Sequence, residues 1–292
     1  MPEKTSDLWW LFSRQTVSVT QNESVLNAAL LMQKRNFRHL PVITRASRIV
    51  GMISAQDIVD SLNLVLQSSS TSKEIKESLE IPVERIMSLY PIVVEPGDGL
   101  AQVVKKITHY NLGALAVVSE LGVVQGIITL RDLVGLMGMS SNPLDVPVSE
   151  VMNTDIVSVE ASSSLSDAVR LMAEHRVRRL PIVSGKGELS GVITNKDVLR
   201  RLARTVGDSS SRETFDLSVS NFMTRDVITV SKDDDVRVAA SRMMIFGVGG
   251  LVIEDSPKGM ALVTERDVVR KLASKKPIAF LLKAMQYELE AG

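Results

Sequence analysis

The sequence contains no cysteine. That absence excludes disulfides, zinc–thiolate centres and a cysteine nucleophile. Its three histidines, His39, His109 and His175, lie far apart and show no metal-ligand spacing. Neither sign of charge is in excess, with 34 Lys plus Arg against 34 Asp plus Glu. A balanced chain gives no electrostatic case for nucleic acid as a partner, although a local basic patch is compatible with it. No apolar run reaches the roughly 18 residues that a membrane span needs. Residues 1–7 are polar and lack the apolar stretch of a signal peptide. The expectation is a cytoplasmic protein with no membrane partner.

What the chain does contain is repetition, the first thing to seek in a sequence of this length. Stretches 8–21, 83–96, 148–161 and 219–232 align without gaps. Each opens on an apolar residue, reaches Phe12, Met87, Met152 or Met223, and ends in a short strand-like run. Stretches 24–41, 99–116, 164–181 and 235–252 align in turn, each as a helix running into a strand. In the third, Leu165, Ala168, Val169, Leu171 and Met172 recur at helical spacing, which makes one face apolar. A further strand leads into a second helix at Ser54–Asp57, Thr129–Asp132, Thr194–Asp197 and Thr264–Asp267. The fold class that follows is α+β, with four βαββα repeats of about 55 residues, a size that buries too little surface to stand comfortably alone. Pairing is the expected remedy. Connectors at 67–72, 140–143 and 207–211 carry Ser and Gly and separate the repeats. The expected domains are 1–66, 80–139, 145–205 and 216–274, with a tail at 275–292 that forms an amphipathic helix over 278–289.

The repeats resemble CBS domains, named for cystathionine beta-synthase. The resemblance rests on the strand Leu40-Pro41-Val42 and its counterpart Leu180-Pro181-Ile182. It rests equally on the turns Gly51-Met-Ile-Ser54, Gly126-Ile-Ile-Thr129 and Gly191-Val-Ile-Thr194, each followed by an aspartate. It covers nearly the whole chain except the tail. Repeat 4 departs at Ala261, where the others have Gly, and repeats 2 and 4 have Ala116 and Val252 in place of Pro. Four copies in one chain look like the gamma subunit of AMP-activated protein kinase and its archaeal relatives. That resemblance implies repeats paired into two modules forming a flat disc, with nucleotide clefts near its centre.

The motif positions can be read in two ways. A Ser or Thr three residues before an acidic residue is a helix capping box, and an Asp suits the positive end of a helix dipole. The same carboxylate could accept hydrogen bonds from both hydroxyls of a ribose. In the family these aspartates hold the ribose, so the resemblance assigns that role to Asp57, Asp132, Asp197 and Asp267. The gamma subunit has one repeat whose aspartate is replaced and whose cleft stays empty; here all four remain. The hydroxyls of Ser54, Thr129, Thr194 and Thr264, with the free N–H groups at a helix start, are candidates for phosphate. Arg38 and His39 precede the strand of repeat 1, and Arg178 and Arg179 that of repeat 3. Arginine offers paired hydrogen bonds to phosphate, but a solvated basic patch at a helix end accounts for these residues equally simply. The even repeats carry Gly113-Ala114 and Gly249-Gly250 there, and small residues let a ligand approach the backbone. A pair of consecutive repeats would then join one basic wall to one open wall. Arg131, Lys196 and Arg266, each just before an aspartate, could reach converging phosphates or could be ordinary exposed residues. The family takes adenine contacts from the loop entering the first strand, which implicates Thr16, Pro91, Ile156 and Val227. The methionines and the pair Trp9-Trp10 read as packing residues.

These features favour a non-catalytic regulatory module for AMP, ADP or ATP that passes energy status to an effector protein. No nucleophile–base pair argues for an enzyme, and no catalytic cofactor is expected. The alternatives are a sensor of another adenosyl ligand such as S-adenosylmethionine, and a scaffold with vestigial sites. The arginines favour phosphate, because a cationic sulfonium gains nothing from them. Self-association into a homodimer stays open.

Overall fold

A computed structural model describes residues 11–12, 16–207, 212–256 and 259–286. The pair Trp9-Trp10, the connector at 208–211 and the tail beyond residue 286 lie outside the described residues.

Repeats 1 to 3 build the expected strand–helix–strand–strand–helix order, and repeat 4 builds it with an isolated bridge in place of the first strand. Repeat 1 comprises β1 (Val19–Thr20), α1 (Val25–Arg35), β2 (His39–Ile43), β3 (Ile49–Ser54) and α2 (Ala55–Ser68). A further helix, α3 (Ser72–Leu79), follows between the expected domains 1–66 and 80–139. Repeat 2 opens with β4 (Ser88–Leu89) and β5 (Val93–Val94). It continues with α4 (Leu100–His109), β6 (Ala114–Val118), β7 (Val124–Thr129) and α5 (Leu130–Met139). Repeat 3 contains β8 (Val159–Glu160), α6 (Leu165–Glu174), β9 (Arg179–Val183), β10 (Leu189–Thr194) and α7 (Asn195–Gly207). Repeat 4 contains α8 (Val236–Ile245), β11 (Gly250–Ser256), β12 (Gly259–Thr264) and α9 (Glu265–Lys275), and α10 (Ile278–Gln286) follows it.

Local sequence explains the helices. Ser164 caps α6 by accepting from the N–H of Asp167, and Asp167 returns the bond to Ser164, a box of the kind the spacing predicts. Leu165, Ala168, Val169 and Met172 of that helix are fully buried. Each of the larger ones contributes up to about 1.5–3 kcal/mol by leaving water. α3 has its own box, Thr71 with Glu74, and buries Ile75 and Leu79.

The strands share one topology. The short first strand runs parallel to the second, which pairs antiparallel with the third: β1–β2–β3, β5–β6–β7 and β8–β9–β10. Repeat 4 keeps only the parallel bridge Thr229–Val252 beside β11–β12. The lead-in segment of each repeat packs on its consecutive neighbour. Ser88 and Leu89 of repeat 2 pair with Met52 and Gly51 of repeat 1. Thr224 of repeat 4 pairs with Val192 of repeat 3, and Asn153 of repeat 3 with Leu262 of repeat 4. Phe12 of repeat 1 lies against Gly126 of repeat 2. Repeats 1 and 2, and repeats 3 and 4, are thus reciprocally joined.

This exchange explains the glycine of the Gly-h-h-Ser/Thr turn. It is the seat for the partner's Met or Phe. A Cβ at Gly191 would stand 2.7 Å from both the Met223 sulfur and the Thr224 carbonyl oxygen. Repeat 4, with buried Ala261, still pairs its next residue with Asn153.

The chain forms two compact units, each with its own apolar core. One comprises 17–91 and 157–226, the bodies of repeats 1 and 3. The other comprises 1–16, 92–156 and 227–292, the bodies of repeats 2 and 4. In the first, α2 packs on α6 and α1 on α7; in the second, α5 packs on α8 and α9. No helix among the described residues is long and apolar enough to cross a membrane.

Gly191→Ala should therefore cost about 1–3 kcal/mol of unfolding free energy, the usual penalty of overpacking. Gly135→Ala, inside α5 where an added Cβ meets nothing within 4 Å, should instead stabilise by about 0.4–1 kcal/mol. Urea denaturation of both variants measures this. Equal behaviour of the two would contradict the seat.

Candidate functional site

All four predicted boxes form, in even and odd repeats alike. The Asp57 carboxylate accepts the Ser54 backbone N–H at 2.7 Å and the Ser54 hydroxyl at 2.8 Å, both on Oδ2. Asp132 does the same with Thr129 at 2.6 and 2.8 Å. Asp197 does so with Thr194 at 2.9 and 2.6 Å, and Asp267 with Thr264 at 3.0 and 2.6 Å. One oxygen of each carboxylate therefore caps the helix. Among the described residues, Oδ1 of Asp57, Asp132 and Asp267 makes no hydrogen bond, while Oδ1 of Asp197 meets Arg200 at 3.2 Å. Capping and ligand binding do not compete, because they use different oxygens. The four hydroxyls, however, already give their protons to the carboxylates. In this arrangement Ser54, Thr129, Thr194 and Thr264 position an aspartate and can offer a ligand only a lone pair.

The register places the variable pair beside each box. His39 stands opposite Ser54, and Arg179 opposite Thr194. Ala114 and Gly250 take the same place opposite Thr129 and Thr264. Directly opposed residues of an antiparallel pair project to the same face of the sheet. The carbonyls of Arg38, Gly113, Arg178 and Gly249 each accept the first N–H of the following helix.

Within each compact unit the starts of the two aspartate-bearing second helices are linked. In the odd unit Asn195 donates to Gln56 at 3.1 Å, and Gln56 donates to the Met172 carbonyl at 3.1 Å and to Asp60 at 2.8 Å. In the even unit the aligned positions form an ion pair. Arg131 meets the buried Glu265 carboxylate at 3.1 Å and also donates to the Gly247 carbonyl at 3.0 Å. Arg266 donates to Asn111 at 3.1 Å. Like thus meets like: the basic pairs belong to one unit and the small pairs to the other. Arg131 and Arg266, expected at phosphates, are engaged by protein groups.

Burial raises the Asp57 carboxyl above its ordinary value, against the pull of its bonds to Ser54. A neighbouring Asp60 raises it further, and the Arg178 guanidinium of repeat 3 opposes the rise. Burial also raises Asp132, whose bonds to Thr129 oppose it; there the next charge is the Glu265 carboxylate, which raises it more. Desolvation lowers the Arg266 guanidinium, helped by Arg270. Thr16, Pro91, Ile156 and Val227 lie where the chain passes from one compact unit to the other. No group of three or more His, Asp or Glu able to hold a metal occurs among the described residues.

Comparison with known proteins agrees with this architecture. The family model of the CBS domain matches residues 7–64, 83–138, 148–204 and 219–274. An uncharacterised 33.4 kDa protein in the ribosomal RNA operon of Thermofilum pendens is 31% identical over 273 residues, covering 90% of each chain. Protein MJ1225 of Methanocaldococcus jannaschii, described as a suggested archaeal homologue of g-AMPK, is 24% identical. Its crystal structure superposes with a TM-score of 0.78, covering 90% of this chain and 99% of the other. An uncharacterised conserved protein from Pyrococcus horikoshii gives a TM-score of 0.60 at 20% identity, over 90% and 97% of the two chains.

Asp132→Asn tests the charge at the box. The amide oxygen can accept the same two bonds without a buried charge. A carboxyl raised in the folded state binds protons there before the unfolded chain does, so the wild type gains stability as pH falls through that window. Asp132→Asn should match or exceed wild-type stability at pH 7, and the wild type should gain on the variant toward pH 4. Chemical denaturation at both pH values reads the difference. A variant that loses stability at pH 7 would show that the charge itself holds the helix.

Proposed function

Because the chain belongs to the CBS-domain family, its domain matched four times along the sequence, we propose that it is a non-catalytic regulatory module that binds adenine nucleotides. The carrying observation is the divided carboxylate: in all four repeats Oδ2 caps a helix, and in three of them Oδ1, that of Asp57, Asp132 and Asp267, stands without a hydrogen bond among the described residues. On this reading each aspartate receives the hydroxyls of a ribose, as the family does. The Arg200 side chain, exposed beside Asp197, moves aside when ribose binds there. Arg38, His39, Arg178, Arg179 and Lys196 supply the positive field for phosphate, with the helix N–H groups behind them. Thr16, Pro91, Ile156 and Val227 form the adenine wall. Nucleotide-dependent change then passes to an effector protein in the cytoplasm.

S-adenosylmethionine remains the second reading, and one observation favours it for the even repeats. Ala114 and Gly250 place no cation opposite the threonines there, so a sulfonium would meet no repulsion from that pair.

Three measurements test the nucleotide reading. Native mass spectrometry of protein purified without added nucleotide should show mass increments of AMP, ADP or ATP. If the protein comes free of ligand, millimolar AMP should raise its melting temperature, the added stability being about 2.7 kcal/mol per independent site at 100 times the dissociation constant. The double change Arg178→Gln and Arg179→Gln should weaken AMP by more than about tenfold and adenosine little, since charge-assisted bonds are roughly twice as strong as neutral ones. Equal losses for the two ligands would assign the arginines to the shape of the site. A ligand-free protein whose melting ignores AMP, ADP and ATP would end the nucleotide reading.

A further inference from the structure

The two compact units differ at aligned positions, and three of these differences leave the even unit less basic, although Arg131 and Arg266 stand where the odd repeats have Gln56 and Lys196. Beside the box, the odd repeats carry His39 and Arg179 where the even repeats carry Ala114 and Gly250. At the end of the preceding helix, the odd repeats carry Arg35 and His175, and the even repeats carry half-exposed Tyr110 and Phe246. At the first residue of the second helix, repeat 3 has the neutral Asn195 and repeat 4 has Glu265, both buried. A carboxylate at a helix start occupies the positive end of the dipole, where a bound anion would otherwise sit. Glu265 also holds Arg131, the residue next to Asp132, in an ion pair.

We infer that the unit formed by repeats 2 and 4 takes a phosphate-free adenosyl ligand, and that the Glu265–Arg131 pair is what turns phosphate away. Phosphorylated nucleotides then go to the unit formed by repeats 1 and 3. The inference rests on the adenosyl reading proposed above and divides it between the units. A phosphate entering the even unit would face Glu265 in a partly desolvated setting, with Arg131 already engaged by that carboxylate. A neutral or cationic 5′ substituent meets no such penalty, and the rings of Tyr110 and Phe246 offer it apolar or cation–π contact.

The experiment uses the full chain, with AMP and adenosine as calorimetric probes. Asp57→Asn with Asp197→Asn removes the odd ribose carboxylates and keeps acceptors for the caps. AMP affinity should fall more than tenfold, while adenosine should still bind at the even unit. Adding Glu265→Gln releases Arg131 and should raise AMP affinity at least tenfold, with adenosine little changed. Glu265→Asn, which copies repeat 3, replaces it if that variant melts early. A double aspartate variant that binds AMP like the wild type overturns the inference. So does a Glu265 change that leaves AMP unaltered in a folded protein. If wild type, shown free of bound ligand, takes neither AMP nor adenosine, the underlying adenosyl reading fails first.

Discussion

One carboxylate oxygen per repeat holds the start of the second helix, and much else follows from that bond. Oδ2 of Asp57, Asp132, Asp197 and Asp267 accepts both the backbone N–H and the hydroxyl of the Ser or Thr three residues earlier. A cap of this kind contributes about 0.5–2 kcal/mol. It also fixes the carboxylate at the end of the third strand, against the residue opposite the cap. Loss of the side-chain acceptor at this position would loosen the helix. The carboxylate's second oxygen is therefore presented at a constant place in every repeat, whatever ligand the surrounding residues select. Burial makes the charge at Asp57 and Asp132 costly, which an uncharged cap would avoid. A carboxylate retained four times at such a site argues for a use beyond capping.

The repeat, its element order and its box were legible in the sequence because each depends on residues close in the chain. Hydrophobic spacing placed α6, and the Ser/Thr-x-x-Asp spacing placed the four helix starts. α3 was also within reach, since Thr71 and Glu74 form a box of the same type; the Ser-rich stretch before it outweighed that signal. The function of the conserved-looking glycine was not legible. Gly51, Gly126 and Gly191 make room for Met87, Phe12 and Met223, each from a neighbouring repeat, and no local pattern reveals that approach.

The gathering of helices into cores was not legible for a related reason. Alternation of basic and small pairs suggested that a basic wall faces an open one. Consecutive repeats do exchange their lead-in segments, yet the helices gather repeats 1 and 3 into one core and repeats 2 and 4 into another. Ion pairs follow the helices. Arg131 and Glu265 are 134 residues apart in the chain, and only the packing of α5 with α9 brings them together. In the sequence Arg131 reads equally as a phosphate contact or as an exposed residue, because its partner lies too far along the chain to be seen. The link of Asn195 to Gln56 in one unit and of Glu265 to Arg131 in the other emerges only once the repeats are sorted in space.

The central claim is that the uncommitted oxygens serve ribose. Calorimetry with AMP and 2′,3′-dideoxy-AMP measures it most directly, because the two ligands share adenine and phosphate and differ only in the hydroxyls. Bonds to a charged group contribute about 1.5–3 kcal/mol each, and losing one such bond corresponds to roughly 10- to 150-fold in affinity. The account predicts that the dideoxy compound binds at least tenfold more weakly. Equal affinity for the two would show that the aspartates only cap their helices.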